Sequence, residues 1–107
     1  MRKNNIIVVA EFTTNPMGNL NLLLRMVEKA AEAGAGLIKM QKKDVENSYS
    51  KEKLDMVFPS PYGKTYRDYR TLFEFSHDDF ARFQRACEEQ DIDWFSTVQD
   101  EKSLLFL

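Results

Sequence analysis

Lys39 and Gln41 stand two residues apart in an otherwise apolar run, Gly36-Leu37-Ile38-Lys39-Met40-Gln41. Strand side chains alternate between faces, so in a strand Lys39 and Gln41 share one face while Ile38 and Met40 take the other. An ammonium set among apolar neighbours calls for an anionic partner or ligand, because desolvating it alone costs several kcal/mol. The chemistry that fits is capture of a phosphate or carboxylate by Lys39, with Gln41 hydrogen-bonding a neighbouring substrate group. The plain alternative is an edge strand with a wet polar face, and K-x-Q by itself is a weak motif. Glu11 ends a second apolar run, Ile6-Ile7-Val8-Val9-Ala10, where it could accept a hydrogen bond from a sugar hydroxyl or pair with Lys39 from the next strand. The two roles are compatible, since site lysines often pair with carboxylates. Ser96 and Thr97 end a third run. Their hydroxyls and nearby amides suit a phosphate, or ordinary turn chemistry.

Other chemistry-bearing residues read as structural. His77 is the one histidine and falls in the first turn of a helix, so a solvent-facing residue is expected rather than a metal ligand. Cys87 lies on an apolar helix face and reads as core. The loop Asn15-Pro16-Met17-Gly18 precedes a helix N-terminus, which attracts anions, but no glycine-rich nucleotide fingerprint is present. Tyr62, Tyr66 and Tyr69 fall near Arg67 and Arg70, a pattern that suits either a binding surface or a folded flap.

The elements that must position these residues are legible as an alternation. The β-branched run from Ile6 to Ala10 predicts a strand buried on both faces. A helix begins near Asn19, with Leu23, Met26, Val27, Ala30 and Ala31 at helical spacing and Gly34 at its C-terminal end. The second strand runs from Leu37 to Gln41. A polar stretch from Lys42 to Arg70 follows, with a short helix opening at Ser50 and a turn-rich loop from Phe58 to Lys64. Ser76 and Asp79 have capping-box spacing and start a second long helix carrying Phe80, Phe83 and Cys87. A third strand, Trp94 to Thr97, leads to a helix capped by Asp100, with Leu104, Leu105 and Leu107 expected on its buried stripe. Alternating strands and helices imply right-handed parallel crossovers. Three units do not close a sheet, and a (β/α)8 barrel takes about 250 residues. The pattern therefore predicts either a small open α/β domain or, preferably, the first part of a barrel.

The chain has 107 residues, 43% hydrophobic and 30% charged, so a single ordinary globular domain is expected. A net charge of −2 without a basic face argues against a nucleic-acid partner. The start Met1-Arg2-Lys3-Asn4-Asn5 is basic, but the apolar run after it is too short for a signal peptide or a membrane span. With one cysteine there is no internal disulfide, and a cytoplasmic location is expected.

Read in order, the motifs resemble the N-terminal part of the sialic acid synthase family, which makes N-acetylneuraminate and related nonulosonates such as legionaminate. The residues that carry the resemblance are Ala10-Glu11, Asn15-Pro16-Met17-Gly18, Ala31-Glu32-Ala33-Gly34-Ala35, Ile38-Lys39-Met40-Gln41 with Lys42-Lys43-Asp44-Val45, Ser60 to Arg67, Leu72-Phe73-Glu74-Phe75 and Ile92 to Thr97. Three departures stand out. Pro16 occupies the place of a usual His, Thr13 that of a usual Gly, and Val98-Gln99 that of a common Pro-Phe.

The resemblance implies a (β/α)8 barrel followed by a small antifreeze-like domain. It implies condensation of phosphoenolpyruvate with an N-acetylmannosamine-type sugar, a divalent metal such as manganese or magnesium, and release of phosphate. Lys39 and Thr97 would help hold phosphoenolpyruvate, with Ser96 beside them, Gln41 would contact the amino sugar, and Glu11 would sit at the floor of the site. The metal-binding histidines would lie beyond Leu107, and the complete protein would be a dimer. A 107-residue product by itself is expected to be inactive and to associate with itself or another chain. The alternatives are a truncated, non-catalytic fragment or a small anion-binding α/β module acting with a partner.

Overall fold

The structure, a computed structural model, describes residues 6–107. The basic start Met1–Asn5 lies outside the described residues. The elements are β1 (Val9–Glu11), α1 (Leu20–Glu32), β2 (Leu37–Lys42), α2 (Val45–Ser48), α3 (Lys51–Leu54), β3 (Val57–Ser60), β4 (Gly63–Thr65), α4 (Tyr66–Leu72), α5 (His77–Glu89), β5 (Asp93–Val98) and α6 (Glu101–Phe106).

The helices start where side chains can satisfy the free amides of the first turn. The Asn19 side chain accepts from Leu22 N, Ser50 from Lys53 N, and Asp100 from Ser103 N. Thr65 with Asp68, and Ser76 with Asp79, close full capping boxes. Helix α1 ends on Ala33, and Gly34 follows at φ 92°, the left-handed conformation that suits a helix stop.

Strands β1, β2 and β5 form one parallel sheet in the order β1-β2-β5. Each step adds a strand on the same side. With right-handed crossovers this puts α1 and α5 on one face of the sheet, the habit of a barrel wall rather than of a doubly wound sheet. The core forms there: Leu23 and Val27 of α1 and Phe80, Phe83 and Cys87 of α5 close over Ile38 and Met40. Phe83 is fully buried, 5.0 Å from the Trp94 ring and 6.2 Å from Phe80. Burial pushes the Cys87 thiol up to about 12, so it remains an inert core thiol, as its helix face predicts.

Several expectations need correction. The first strand is shorter than predicted and is not buried on both faces, since Ile6, Ile7 and Val8 are each more than half exposed. The physical reason is that β1 pairs with β2 alone and the helices cover one face only. The segment Phe58 to Lys64 is a hairpin, β3-β4, turning on Pro61-Tyr62; Pro59 is tolerated because this two-stranded sheet consists of edges. Neither α2 nor α4 was legible. Leu104, Leu105 and Leu107 are exposed instead of forming a buried stripe. The Asp100 cap turns Ser103 inward, and Ser103 and Phe106, one helical turn apart, meet the body of the chain.

Gly18 has a structural duty. Its φ is +67°, and a Cβ placed there would lie 1.8 Å from the Leu72 carbonyl oxygen at the end of α4. A Gly18→Ala change should cost at least about 1–3 kcal/mol through backbone strain, and more because main chain must move. Urea unfolding reads this as a lowered midpoint. Thr13 takes φ 47°, an unfavourable conformation for a β-branched residue.

Candidate active site

The sheet register decides which candidates meet. Glu11 stands opposite Lys39, Lys39 opposite Phe95, and Gln41 opposite Thr97. Neighbours in register across parallel strands share a face, so Glu11, Lys39, Gln41 and Thr97 lie together on the face that the helices leave uncovered. Three of them cluster toward the C-terminal strand ends, where α/β proteins place their chemistry. Ser96 does not join them. It stands opposite Met40, on the helix side of the sheet, and its hydroxyl donates to the Thr97 carbonyl at 2.9 Å.

Lys39 Nζ donates to Glu11 Oε1 at 3.1 Å, the pairing expected for an ammonium in an apolar strand. The Lys39 side chain is 28% exposed and that of Glu11 51%. An ammonium has three donors, and this contact uses one of them, leaving charge and donors for an anionic ligand. The Thr97 hydroxyl donates to the Met40 carbonyl at 3.5 Å, which ties β5 to β2 between the two polar positions.

The loops beyond the strand ends are bound to one another. The Asp100 carboxylate accepts from Asp44 N (2.7 Å), Ser103 N (2.7 Å) and the Ser103 hydroxyl (3.0 Å), joining the β5–α6 turn to the β2–α2 turn. Burial alone would raise the Asp100 carboxyl, but these donors outweigh it and hold it below its ordinary range. With the folded value depressed, the stabilisation is complete above the unfolded aspartate value of about 3.9 and disappears as pH falls through the folded value. Asp100→Ala should cost about 1–3 kcal/mol at neutral pH, and the difference from the parent chain should shrink in acid. Denaturant midpoints from pH 7 down to pH 3 check both parts.

The tyrosine-rich stretch is a folded flap. Phe58, Tyr66 and Tyr69 pack together through one edge-to-face and two tilted ring contacts, and Arg67 bonds both Glu46 and Asp55 (2.7 Å), holding α4 against α2 and the end of α3. His77 is exposed and stacks on Phe106 at 3.8 Å, away from the Glu11–Lys39 face. A cavity of about 290 Å³ lies beside the end of β2, lined among others by Lys42, Lys43, Glu74, His77 and Phe106, but by none of the four residues on the uncovered face. That face has no roof among the described residues and so forms no enclosed pocket.

These features define a class: a barrel-type run of parallel βα units that presents a charged pair and an amide at its strand ends. The NeuB family model matches residues 26–107. The chain belongs to the NeuB family. It is 34% identical over 102 residues to human N-acetylneuraminate-9-phosphate synthase and 31% identical over 106 residues to the Drosophila melanogaster protein of the same name. These alignments cover 94% and 97% of this chain but 28% of each relative, so the chain spans under a third of their length. Among solved structures, the N-acetylneuraminic acid (sialic acid) synthetase of Leptospira borgpetersenii, in complex with citrate, superposes with a TM-score of 0.73 at 26% identity. That superposition covers all of this chain and 36% of that one. The Bacillus subtilis spore coat polysaccharide biosynthesis protein spsE shares the fold, with a TM-score of 0.60 at 22% identity. The chain is thus a part of such a barrel, with the parallel βα units that the alternation predicted. No helix among the described residues is long and apolar enough to cross a membrane.

Proposed function

We propose that this chain is the phosphoenolpyruvate-binding and acceptor-binding edge of a nonulosonate synthase. In this reaction the C3 carbon of phosphoenolpyruvate bonds to the aldehyde carbon of an N-acetylmannosamine-type sugar. Water adds at C2 and inorganic phosphate leaves. Lys39 neutralises the anionic donor substrate, Gln41 orients the amino sugar, Thr97 adds a hydroxyl beside them, and Glu11 holds the Lys39 ammonium in place. The observation that carries this reading is the common face of Glu11, Lys39, Gln41 and Thr97, with an ion pair that leaves Lys39 donors free.

The reading calls for manganese or magnesium. Glu11 is the one carboxylate beside Lys39, and no group of three or more His, Cys, Asp or Glu among the described residues could hold a metal ion. The residues present do not make that site, so its ligands would come from the remainder of a complete protein. The uncovered face also exposes Val9 and Phe95, which supports association with further chain, whether in one polypeptide or several.

The test is an assay of the gene product as its cells make it, with phosphoenolpyruvate, a divalent metal and N-acetylmannosamine or its 6-phosphate. Stoichiometric phosphate and a nine-carbon keto acid are expected. Phosphoenolpyruvate left intact with every acceptor would overturn the assignment.

A further inference from the structure

The residues that follow Gln41 are held by a carboxylate from far along the chain. Glu74 lies in the short linker between α4 and α5, 31 residues beyond Lys43. Its Oε1 accepts from Lys43 N at 3.1 Å and lies 3.5 Å from Lys42 Nζ. The Lys42 and Glu74 side chains are only 13% and 18% exposed. Among the described residues Lys42 is the one cation paired with Glu74. Lys43 turns its ammonium away, onto the Tyr49 hydroxyl at 2.7 Å, and the Arg70 guanidinium lies over the Phe73 ring at 5.7 Å.

The contact does not serve the linker itself. Ser76 and Asp79 cap α5 without it, and the end of α4 closes through backbone bonds from Phe73 N to Arg70 O and from Glu74 N to Thr71 O. Stability does not explain it either. Burial pushes the Glu74 carboxyl above its ordinary value even with the Lys43 amide and the Lys42 ammonium beside it. A buried pair of this kind offsets its own desolvation poorly, and apolar residues of similar volume would hold the layer as well. What it adds is a single geometry, because a buried charge tolerates little displacement from its partners.

That geometry falls next to the site. Lys39 is paired on both sides, with Glu11 of β1 and Phe95 of β5, whereas Gln41 is paired with Thr97 of β5 alone. Gln41 is the last residue but one of β2, so its backbone depends on what holds Lys42 and Lys43. The next amide, Asp44 N, goes to the Asp100 carboxylate at 2.7 Å. Two consecutive amides beyond Gln41 are thus each taken by a carboxylate from another segment. The linker also backs the loop after Glu11, since a Cβ on Gly18 would meet the carbonyl oxygens of both Leu72 and Glu74.

We infer that Glu74, through its ion pair with Lys42 and its bond to Lys43 N, is a positioning residue that sets the Gln41 amide for the amino-sugar acceptor. This rests on the synthase reading above and deepens it. Lys39 is fixed by strands on either side, so the hold on phosphoenolpyruvate is insulated from the brace and the effect falls on the acceptor.

The test is a double-mutant cycle on the full gene product. It measures kcat and KM for phosphoenolpyruvate and for N-acetylmannosamine or its 6-phosphate, whichever is turned over. Glu74→Ala should lower kcat/KM for the acceptor about 10- to 100-fold and leave the phosphoenolpyruvate KM within about threefold, since a small misplacement of a substrate contact costs that much. Glu74→Gln, which keeps an acceptor for Lys43 N, should recover part of the loss. In a Gln41→Ala background, Glu74→Ala should add less than about threefold, because the group it sets is gone. The full loss repeated in that background, or equal losses on both substrates, would overturn the proposal by making Glu74 a general structural residue. Should circular dichroism show Glu74→Ala to be unfolded, Lys42→Met takes its place in the cycle with the same two outcomes. If the parent turns over no acceptor, the synthase reading has failed, and the nuclear magnetic resonance signals of the Gln41 side-chain amide decide the brace. Signals displaced in the folded variants support it, and signals unchanged from the parent sink it.

Discussion

Replacing Lys39 with alanine should remove nearly all turnover of phosphoenolpyruvate in the complete protein while leaving stability almost unchanged. Two effects add. The anionic substrate loses its ammonium partner, and the Glu11 carboxylate is left facing it without a counter-charge. Truncating one member of a hydrogen-bonded charge pair at a binding surface typically costs about 2–5 kcal/mol, roughly a 30- to 4,000-fold loss in kcat/KM. Stability responds differently. The Glu11 side chain is 51% exposed and that of Lys39 28%, so the pair contributes no more than about 1 kcal/mol to folding. Steady-state kinetics beside urea denaturation separates the two effects. Near-normal turnover would remove Lys39 from the site, and a loss that tracks unfolding would make it structural.

The largest stability effect should come from the opposite side of the sheet. Phe83 is fully buried beside Phe80 where α5 meets Trp94, on the face built by Ile38 and Met40. Phe83→Ala deletes an aromatic ring and leaves a cavity that this layer can fill only by moving α5, a cost of about 3–5 kcal/mol. That is a large share of a small domain's margin of about 5–15 kcal/mol. The denaturation midpoint should fall sharply, and the near-ultraviolet dichroism of Trp94 should weaken with it. An unfolding free energy within about 0.5 kcal/mol of the parent would show that α5 does not carry the core. The two variants form a complementary pair: Lys39→Ala acts on chemistry with little effect on folding, and Phe83→Ala the reverse.

Much of the site was legible because parallel strands write a simple code. Period-two alternation in Ile38-Lys39-Met40-Gln41 was enough to place Lys39 and Gln41 together, and the place of Glu11 at the end of a neighbouring strand offered its pairing with Lys39 as one of two roles. Caps at Asn19, Ser50, Ser76 and Asp100 were equally readable, because each is a local contest for the amides of one helical turn. Ser96 was misplaced for want of register. The choice between Ser96 and Thr97 depends on which of them stands opposite Gln41, a matter of strand-to-strand pairing that one strand's own residues do not reveal.

The flap illustrates the other limit. Val57–Thr65 carries two prolines and no alternation, so its hairpin depends on α4 and on Arg67 reaching Glu46 and Asp55, residues 21 and 12 positions away. The grouping of Lys43 and Arg70 around Tyr49 joins residues far apart in the chain and was invisible for the same reason. Thus the chain's local chemistry determined the three parallel strands, the main helices, their caps and the polarity of the site strand. Tertiary structure alone decided which strand-end hydroxyl shares the site face, which leucines are buried, and which cations go without a carboxylate. The first group rests on interactions within a turn or a strand, and the second on contacts between segments that only the folded chain brings together.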